Sequence, residues 1–385
     1  MVVLSCVSFL NELSSQSVAP LIPLLLATTL GAGPIALGLI EGLAEAVSNL
    51  LKLWSGRRSD VLGKKRRNLI VGGYGLSVIA RPLIGFAVNW PVVLLLRSLD
   101  RAGKGLRGAP RDALLTDAAP EELRGRAFGF NRAFDYAGAV GGSLLAAAAL
   151  TFVSDSISTV ILLSAIPGVC AVALLASLVK DIPALPGTPK AKTVPSVKWT
   201  ALSPAARRFF PMLMIFSLSR VAESFILLRA HDLGMPTVTV LLFWALICAL
   251  QSVVSLFGGG LSDRFSKATV VTVTWFADAI ALLVIALAQG DMGLWVSACG
   301  YAMLTGIGEG AEKAYISEIS TDADRGTAFG WYNMIVGFAA IPAGLAFGLL
   351  WTRSSAALAF GIFGSAGLLS AVVVWWWQNR RSAID

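Results

Sequence analysis

The sequence predicts an all-α membrane protein with about twelve transmembrane helices in two pseudo-symmetric six-helix bundles. The first observation is composition: of 385 residues, 56% are hydrophobic and 14% are charged, whereas a soluble domain carries about 25% charged residues. The second is that the apolar residues fall into runs of about 20, the length needed to cross the hydrocarbon core. The third is a repeat at half the chain length, which is typical of duplicated helix bundles in transporters.

The apolar runs divide into six before and six after a polar linker. The predicted spans are 3–30, 34–56, 68–88, 91–115, 125–152, 157–179, 209–231, 237–261, 268–289, 292–317, 326–352 and 355–378. Residues 181–207 hold several prolines and scattered lysines, a composition that breaks helices and favours water. The predicted organisation is therefore an N-terminal bundle over 1–180, a cytoplasmic linker over 181–207, and a C-terminal bundle over 208–385.

The repeat is visible in two pairs of segments. Residues 124–129 read RGRAFG and residues 325–330 read RGTAFG, at an offset of 201. Residues 56–64 and 259–267 share a Gly-x-x-Ser-Asp pattern followed by basic residues, at an offset of 203, and each follows the second span of its half. The two halves are therefore predicted to be related structures.

The net charge is +8, and the positions of the basic residues follow the predicted membrane topology. The basic loop residues fall on one side of the membrane if the spans alternate, with Arg353 as the exception: Arg57, Arg58, Lys64, Lys65, Arg66, Arg67, Lys180, Lys190, Lys192, Lys198, Arg207, Arg208, Arg264, Lys267, Arg380 and Arg381. This excess on one side is the pattern of cytoplasmic loops. The sequence therefore predicts a protein integral to the cytoplasmic (inner) membrane with both termini inside the cell, and no nucleic-acid partner.

The repeated Gly-x-x-Ser-Asp segment resembles the signature loop of the major facilitator superfamily, and span count and linker extend the resemblance over the whole chain. The resemblance implies that each bundle is built of inverted three-helix repeats, and that Asp60 and Asp263 are latch acids at the cytoplasmic face. Arg124 and Arg126 are then the expected partners of Asp60. Three positions depart from the family pattern, so the latch is expected to be imperfect in both halves: Arg58, Val61 and Ser266. The alternative is a loop of topology-setting charges with an Asp helix cap.

The fourth span carries an unusual number of charges. They recur at steps of three and four residues, which places them on one stripe of a helix: Arg97, Asp100, Arg101, Lys104, Arg107 and Arg111. A charge at the bilayer centre costs about 2.5–3.5 kcal/mol on insertion scales, so the stripe must face a watery cavity or acidic partners. The candidate acidic partners are Glu12, Glu41, Glu45 and Asp135, and Arg132 lies close to Asp135 in the fifth span.

The second half holds weaker counterparts of these charges. Arg220 and Glu223 lie in the seventh span, Glu309 and Glu312 lie in the tenth, and Glu223 occupies a place comparable to that of Glu12. The segment from Arg97 to Arg101 also resembles the Arg-x-x-Gln-Gly context of proton-coupled facilitators, which implies a proton-relay role for Arg97. The alternative is a buried ion-pair network that only stabilises the N-terminal bundle.

Three glycine motifs are predicted to be sites of close helix packing. Residues 103–108 spell G-x-G-x-x-G, but no strand precedes them, so a dinucleotide site is not expected. Residues 138–142 and 344–348 each contain Gly-x-x-x-Gly. The first also resembles the antiporter signature Gly-x-x-x-Gly-Pro, with Ser143 at the proline position.

The predicted function is secondary active transport rather than an enzymatic reaction. We expect alternating-access export of a small organic solute, anionic or zwitterionic because cations outnumber acids on the fourth span, with the proton as coupling ion. Glu12, Glu41 or Asp135 would exchange protons. The expected protein is a monomer in the lipid bilayer, without cofactor or metal. The alternatives are a symporter or uniporter importing an anionic nutrient or metal chelate, and a receptor or scaffold without transport.

Overall fold

The structure is a computed structural model that describes residues 2–62, 66–117, 124–178, 198–264, 266–321 and 324–381. Side chains are described over the same ranges except 59–62, 117, 124–128, 255–264, 306–310 and 377–381. All regular structure within these ranges is helical. The prediction of an all-α fold is therefore confirmed.

The helices follow the predicted spans closely. Their bounds are α1 Val2–Val18, α2 Leu21–Leu24, α3 Pro34–Leu62, α4 Arg66–Leu83, α5 Trp90–Asp117, α6 Arg124–Phe152, α7 Ile157–Leu163, α8 Ala165–Leu178, α9 Pro204–Ser217, α10 Glu223–Asp232, α11 Thr237–Arg264, α12 Lys267–Leu287, α13 Gly290–Ile319, α14 Arg325–Arg353 and α15 Ala356–Arg381. Each of the twelve predicted spans corresponds to one of these helices or to two consecutive helices. Three of the spans are divided: α1 with α2, α7 with α8, and α9 with α10.

The breaks in the first and seventh spans have different origins. The first lies at Pro20, which has no N–H to donate to the preceding turn, and a π-helical turn, Leu25–Thr29, then completes the span. The seventh lies at 218–222, which contains neither proline nor glycine. There Ser219 Oγ donates to the Phe216 carbonyl at 2.7 Å, and Ala222 is extended before α10 begins.

Eight helical segments of the described residues are long and apolar enough to cross a membrane. The predicted spans that fall outside this set are the first, fourth, seventh and tenth. They are the first member of each expected three-helix repeat. Breaks divide the first and seventh and charges interrupt the fourth, whereas in the tenth the side chains of 306–310 lie outside the described residues.

The chain divides into two compact units. Unit 1 contains 1–32, 43–195 and 236–245, and unit 2 contains 33–42, 196–235 and 246–385. In unit 1, α1 packs on α6 and α8 while α4 packs on α5; in unit 2, α12 packs on α13 and α15 while α14 packs on α9 and α15. Each unit thus has its own helical core and includes ten residues from the other half of the sequence.

Glycines set the closeness of several of these contacts. A Cβ on Gly103 of α5 would lie within 3 Å of the Gly73 carbonyl and of Ser77 on α4, and one on Gly105 would lie 2.5 Å from the Ser48 carbonyl. A Cβ on Gly138 of α6 would lie 2.5 Å from the Phe9 carbonyl of α1. The G-x-G-x-x-G segment is therefore a packing motif, as predicted.

The other two glycine patches have the same role. Gly142 on α6 approaches the Leu13 carbonyl of α1, and Gly344 and Gly348 of α14 approach the backbone of Gly38 and Pro34 on the part of α3 within unit 2. Close packing at both patches is confirmed.

Candidate functional site

The centre of unit 1 is a buried ion pair between α4 and α5. Arg81 Nη2 donates to Asp100 Oδ1 at 2.9 Å, and Arg97 Nη1 donates to the other carboxylate oxygen at 3.4 Å. Exposure is only 1% for Arg81, 2% for Arg97 and 3% for Asp100. Burial of the Asp100 carboxylate is tolerable because two guanidinium groups donate to it.

The same arginine also reaches α1. Arg81 Nη1 donates to Ser14 Oγ at 2.7 Å, and Ser77 Oγ donates to the Asp100 backbone carbonyl at 2.8 Å. Arg97 and Asp100 therefore belong to a packed network that joins α1, α4 and α5. This supports the interpretation of that part of the stripe as structural.

Further along α5, Arg107 and Arg111 of the stripe also have partners. Arg107 donates to Ser77 Oγ at 2.8 Å and lies over the ring of Tyr74, 4.5 Å from its centroid. Arg111 Nη1 donates to Ser8 Oγ at 3.0 Å and lies 3.7 Å from Asp135 Oδ2 on α6. The predicted pairing of α5 cations with Asp135 is therefore present.

Lys104 differs from its neighbours on α5. It is half-buried and forms no ion pair or hydrogen bond with any described residue. The charges that act on it include those of three cations, Arg101, Lys52 and Arg107, and of two acids, Glu12 and Glu45. An ammonium group with more cations than acids around it is an attractive partner for an external anion.

The acids of unit 1 lie around that lysine. Glu12 on α1 accepts from Asn11 Nδ2 at 3.3 Å, and the cation that acts on it most strongly is Lys104. Glu45 on α3 accepts from Asn49 at 2.7 Å and is influenced by the charges of Lys52, Arg101 and Lys104. Unit 1 therefore contains a mixed-charge cluster with an excess of cations.

Three other predicted site residues have separate positions. Glu41 lies on the part of α3 that belongs to unit 2, with Oε1 buried. Arg132 is exposed on α6, with its guanidinium over the Tyr136 ring. Asp135 accepts from Asn131 Nδ2 at 3.5 Å, while its second oxygen is buried without a donor.

Unit 2 is organised around Glu312 on α13. Its carboxylate accepts from Arg220, from Trp275 Nε1 at 2.7 Å and from the Tyr332 hydroxyl at 3.1 Å. Trp275 stacks on Phe216 with centroids 4.1 Å apart. Arg220 comes from the break between α9 and α10, so the interruption of the helix supplies the cation for this acid.

A second acid of unit 2 lies at the start of α10. Glu223 Oε1 accepts from Gln251 Nε2 at 2.7 Å, and the same amide nitrogen lies 3.2 Å from Thr305 Oγ1. The N-terminus of a helix favours a negative charge. Both Glu223 and Glu312, which the sequence predicts as site residues, are therefore well stabilised carboxylates.

Five predicted site residues have side chains outside the described set. The backbones of Asp60, Arg124, Arg126, Asp263 and Glu309 lie in α3, α6, α11 and α13. The latch between Asp60 and the two arginines stays a prediction.

Two charged residues with buried side-chain atoms are not among the site residues predicted from the sequence. They are Arg81 on α4, the main partner of Asp100, and Asp278 on α12, whose Oδ1 is buried without a donor. Each is the lone charged residue of its predicted span, 68–88 and 268–289. That isolation is the signal that identifies them, because a single charge in an apolar helix requires a partner or a role.

Comparisons with known proteins agree with this architecture. Residues 4–312 match the model of the Major Facilitator Superfamily. The chain is 33% identical over 353 residues to an uncharacterized MFS-type transporter of Methanocaldococcus jannaschii, covering 90% of this chain and 87% of the relative.

Solved structures share the fold at low sequence identity. The nucleoside transporter NupG superposes with a TM-score of 0.80 at 13% identity, covering 97% of this chain and 98% of that chain. A human organic anion transporter superposes with a TM-score of 0.69 at 15% identity, with the same coverage. Since the family model and the archaeal relative both span most of the sequence, the chain belongs to the major facilitator superfamily and is an integral membrane transporter rather than an enzyme.

Proposed function

We propose that this transporter exports a small organic solute carrying an anionic group, by alternating access and coupled to protons. Facilitators carry many unrelated cargoes, so the fold does not select one. The proposal therefore depends on the charged residues of unit 1. The export direction is supported by the resemblance of residues 138–143 to the antiporter signature.

Lys104 is the observation that carries the proposal. It lies in the membrane-spanning part of α5, is only half-buried, and has no ion pair among the described residues. An unpaired ammonium at membrane depth is expensive unless water or a ligand reaches it. A solute carboxylate or phosphate that binds there would supply the missing charge, because charge-assisted hydrogen bonds to an ammonium are strong.

Glu12 supplies the coupling in this proposal. Lys104 is the cation that acts on it most strongly, so a solute anion and the Glu12 carboxylate compete for the same ammonium. When the anion binds, Glu12 loses its counter-charge and takes up a proton. When the anion leaves, the ammonium attracts the carboxylate again and the proton is released.

The first experiment is a thermal-shift screen of the purified protein against anions, zwitterions and neutral solutes at two pH values. Ligands that stabilise the protein then enter a flux assay in inside-out vesicles with and without an imposed pH gradient. We expect stabilisation by anionic or zwitterionic solutes, and accumulation that depends on the gradient. Gradient-independent accumulation contradicts the proton coupling.

Import of an anionic nutrient or metal chelate remains the competing direction, because the same residues serve it. Counterflow in whole cells separates the two: depletion of the solute from preloaded cells supports export, and concentrative uptake supports import. A role as a scaffold without transport requires that neutralising Glu12 or Arg101 leave every flux unchanged.

A further inference from the structure

The middle of α3 packs closely on α5 next to the proposed anion site at Lys104. Ser55 Oγ donates to the Gly105 carbonyl at 2.8 Å, and a Cβ on Gly105 would lie 2.5 Å from the Ser48 carbonyl. The two helices approach this closely because glycine has no side chain. Lys104 directly precedes Gly105, so it lies at the edge of the contact with α3.

A second lysine lies at the same edge of this contact. A Cβ on Gly108 would have Lys52 Cγ of α3 as its nearest neighbour, at 4.0 Å. Lys104 and Gly108 are four residues apart, so they lie on one face of α5 and one turn from each other. The stem of Lys52 therefore lies against the face of α5 that carries Lys104. Both lysines belong to unit 1, and both are half-buried.

The head group of Lys52 is held by an asparagine that is itself fixed in place. Lys52 Nζ donates to Asn49 Oδ1 at 3.1 Å. Asn49 is 3% exposed, and its Nδ2 donates to Glu45 Oε1 at 2.7 Å. The Lys52 side chain is therefore directed back along α3, towards the N-terminal end of that helix.

This direction brings the two ammonium groups to the same level of the bundle. The contacts between α3 and α5 occur in the same order along both helices, so the two helices run parallel. Asn49 follows Ser48, whose carbonyl meets Gly105. The Lys52 ammonium, which donates to Asn49, therefore lies at the level of Lys104. The charge of Lys52 also acts on Lys104.

We propose that Lys52 is the second cation of the Lys104 site, and that the transported solute carries two negative charges at its anionic end. The proposal rests on the anion site of the proposed function and narrows its substrate class. Two ammonium groups that lie close together repel each other, and a second negative charge on the solute offsets this repulsion better than one charge does. A dicarboxylate or a phosphate monoester has this chemistry.

The test compares probes that differ by one negative charge. Succinate is paired with monomethyl succinate, and methyl phosphate is paired with dimethyl phosphate. Isothermal titration of the purified full-length protein is carried out at about pH 8, above the second pKa of a phosphate ester, about 6. We expect at least one dianion to bind at least about tenfold more tightly than its monoanionic partner, equivalent to about 1.4 kcal/mol. Equal affinities within both pairs, or no binding of either dianion, overturn the proposal.

Lys52→Gln is the informative variant, because glutamine keeps a donor for Asn49 and removes the charge. The preference for the dianion should fall to near equality, whereas Lys52→Arg should retain it. Lys267→Met is the matched control, since this lysine pairs with the exposed Glu318 at 3.0 Å, and it should behave as the wild type. If Lys52 only supports Glu45 through Asn49, Lys52→Gln lowers the melting temperature and leaves the preference intact, and that result overturns the proposal.

The paired probes separate this inference from the proposed function. Lys104→Met should weaken the binding of both members of a pair, because it removes the cation that both require. If it does so while Lys52→Gln leaves the preference intact, the anion site stands and only the assignment of Lys52 fails. If Lys104→Met changes neither affinity, the anion site of the proposed function is contradicted, and this inference fails with it.

Discussion

Arg81 donates to the Asp100 carboxylate across 2.9 Å, and the two residues are 1% and 3% exposed. The other guanidinium nitrogen of Arg81 donates to Ser14 on α1 at 2.7 Å. One side chain therefore joins three helices of unit 1. It also fixes the depth at which the remaining cations of α5 lie, because Asp100 and Lys104 are one turn apart on the same helix.

Removing Arg81 should destabilise the protein severely. Arg81→Met leaves Asp100 buried with only the longer contact to Arg97, and loss of one partner of a buried pair typically costs about 3–5 kcal/mol. Thermal unfolding in detergent measures the effect. Lys267→Met is the control, because it disrupts the exposed pair with Glu318 and should cost no more than about 1 kcal/mol. Equal melting temperatures for the two variants contradict the structural role.

The packing of α5 on α4 at Gly103 should be sensitive to the addition of a single methyl group. In Gly103→Ala the new Cβ meets backbone and side-chain atoms of α4 within 3 Å, and such overpacking typically costs about 1–3 kcal/mol. Gly108 on the same helix has Lys52 Cγ at 4.0 Å as its nearest neighbour. Gly108→Ala should therefore be neutral or stabilising by up to about 1 kcal/mol, since alanine is the better helix former. Denaturant unfolding of both variants tests the contrast, which fails if Gly103→Ala is the more stable.

Much of this fold could be predicted from the sequence because membrane helices have a composition and length of their own. The division of the first span is visible in Pro20 and Pro23. The division of the seventh is not, because 218–222 contains neither proline nor glycine, and the contact that Arg220 of this segment makes with Glu312 is distant in the sequence. Local propensity carries no information about such a tertiary contact.

The candidate site was predictable in part for the same reason. The stripe on α5 follows from helical periodicity, but the assignment of partners does not. Asp100 pairs with Arg81 rather than only with residues of its own helix, and the sequence contains no signal for which helix faces α5 at that depth. Lys104 and Arg97 lie on the same stripe, yet one is unpaired and the other is buried in an ion pair, a difference that only packing determines.

The stability of the contact between Asp324 and the residue before α9, Ser203, should depend on pH. Its carboxylate accepts from the Ser203 N–H at 2.6 Å and from the Thr321 N–H and hydroxyl at 2.5 and 2.6 Å. Burial opposes ionisation, but these bonds lower the pKa of Asp324 below its usual value. A lowered pKa stabilises the protein above the unfolded value of about 3.9, and the contribution is lost as pH falls through the folded value.

Asp324→Ala should therefore cost about 1–2 kcal/mol at neutral pH. The difference in unfolding free energy from the wild type should stay constant between about pH 5 and pH 7 and shrink below about pH 4. A difference that grows towards low pH for Asp324→Ala contradicts the assignment.

Lys104 should be dispensable for folding and essential for anion recognition. Lys104→Met removes an ammonium that has no described ion-pair partner, so the melting temperature should not fall. The thermal shift produced by the anionic solutes found in the screen should require at least about tenfold more ligand, equivalent to about 1.4 kcal/mol of binding. Unchanged anion affinity in this variant contradicts the location of the anion site.

Glu12→Gln should separate solute binding from proton coupling. The amide is close in shape to the carboxyl group but cannot exchange a proton, so Lys104 loses the acid that competes with the solute. We expect tighter solute binding, and flux in inside-out vesicles that no longer responds to an imposed pH gradient. The exposed Glu318→Gln variant should keep the wild-type response. If Glu12→Gln retains a full response to the gradient, the coupling proton is carried by another residue.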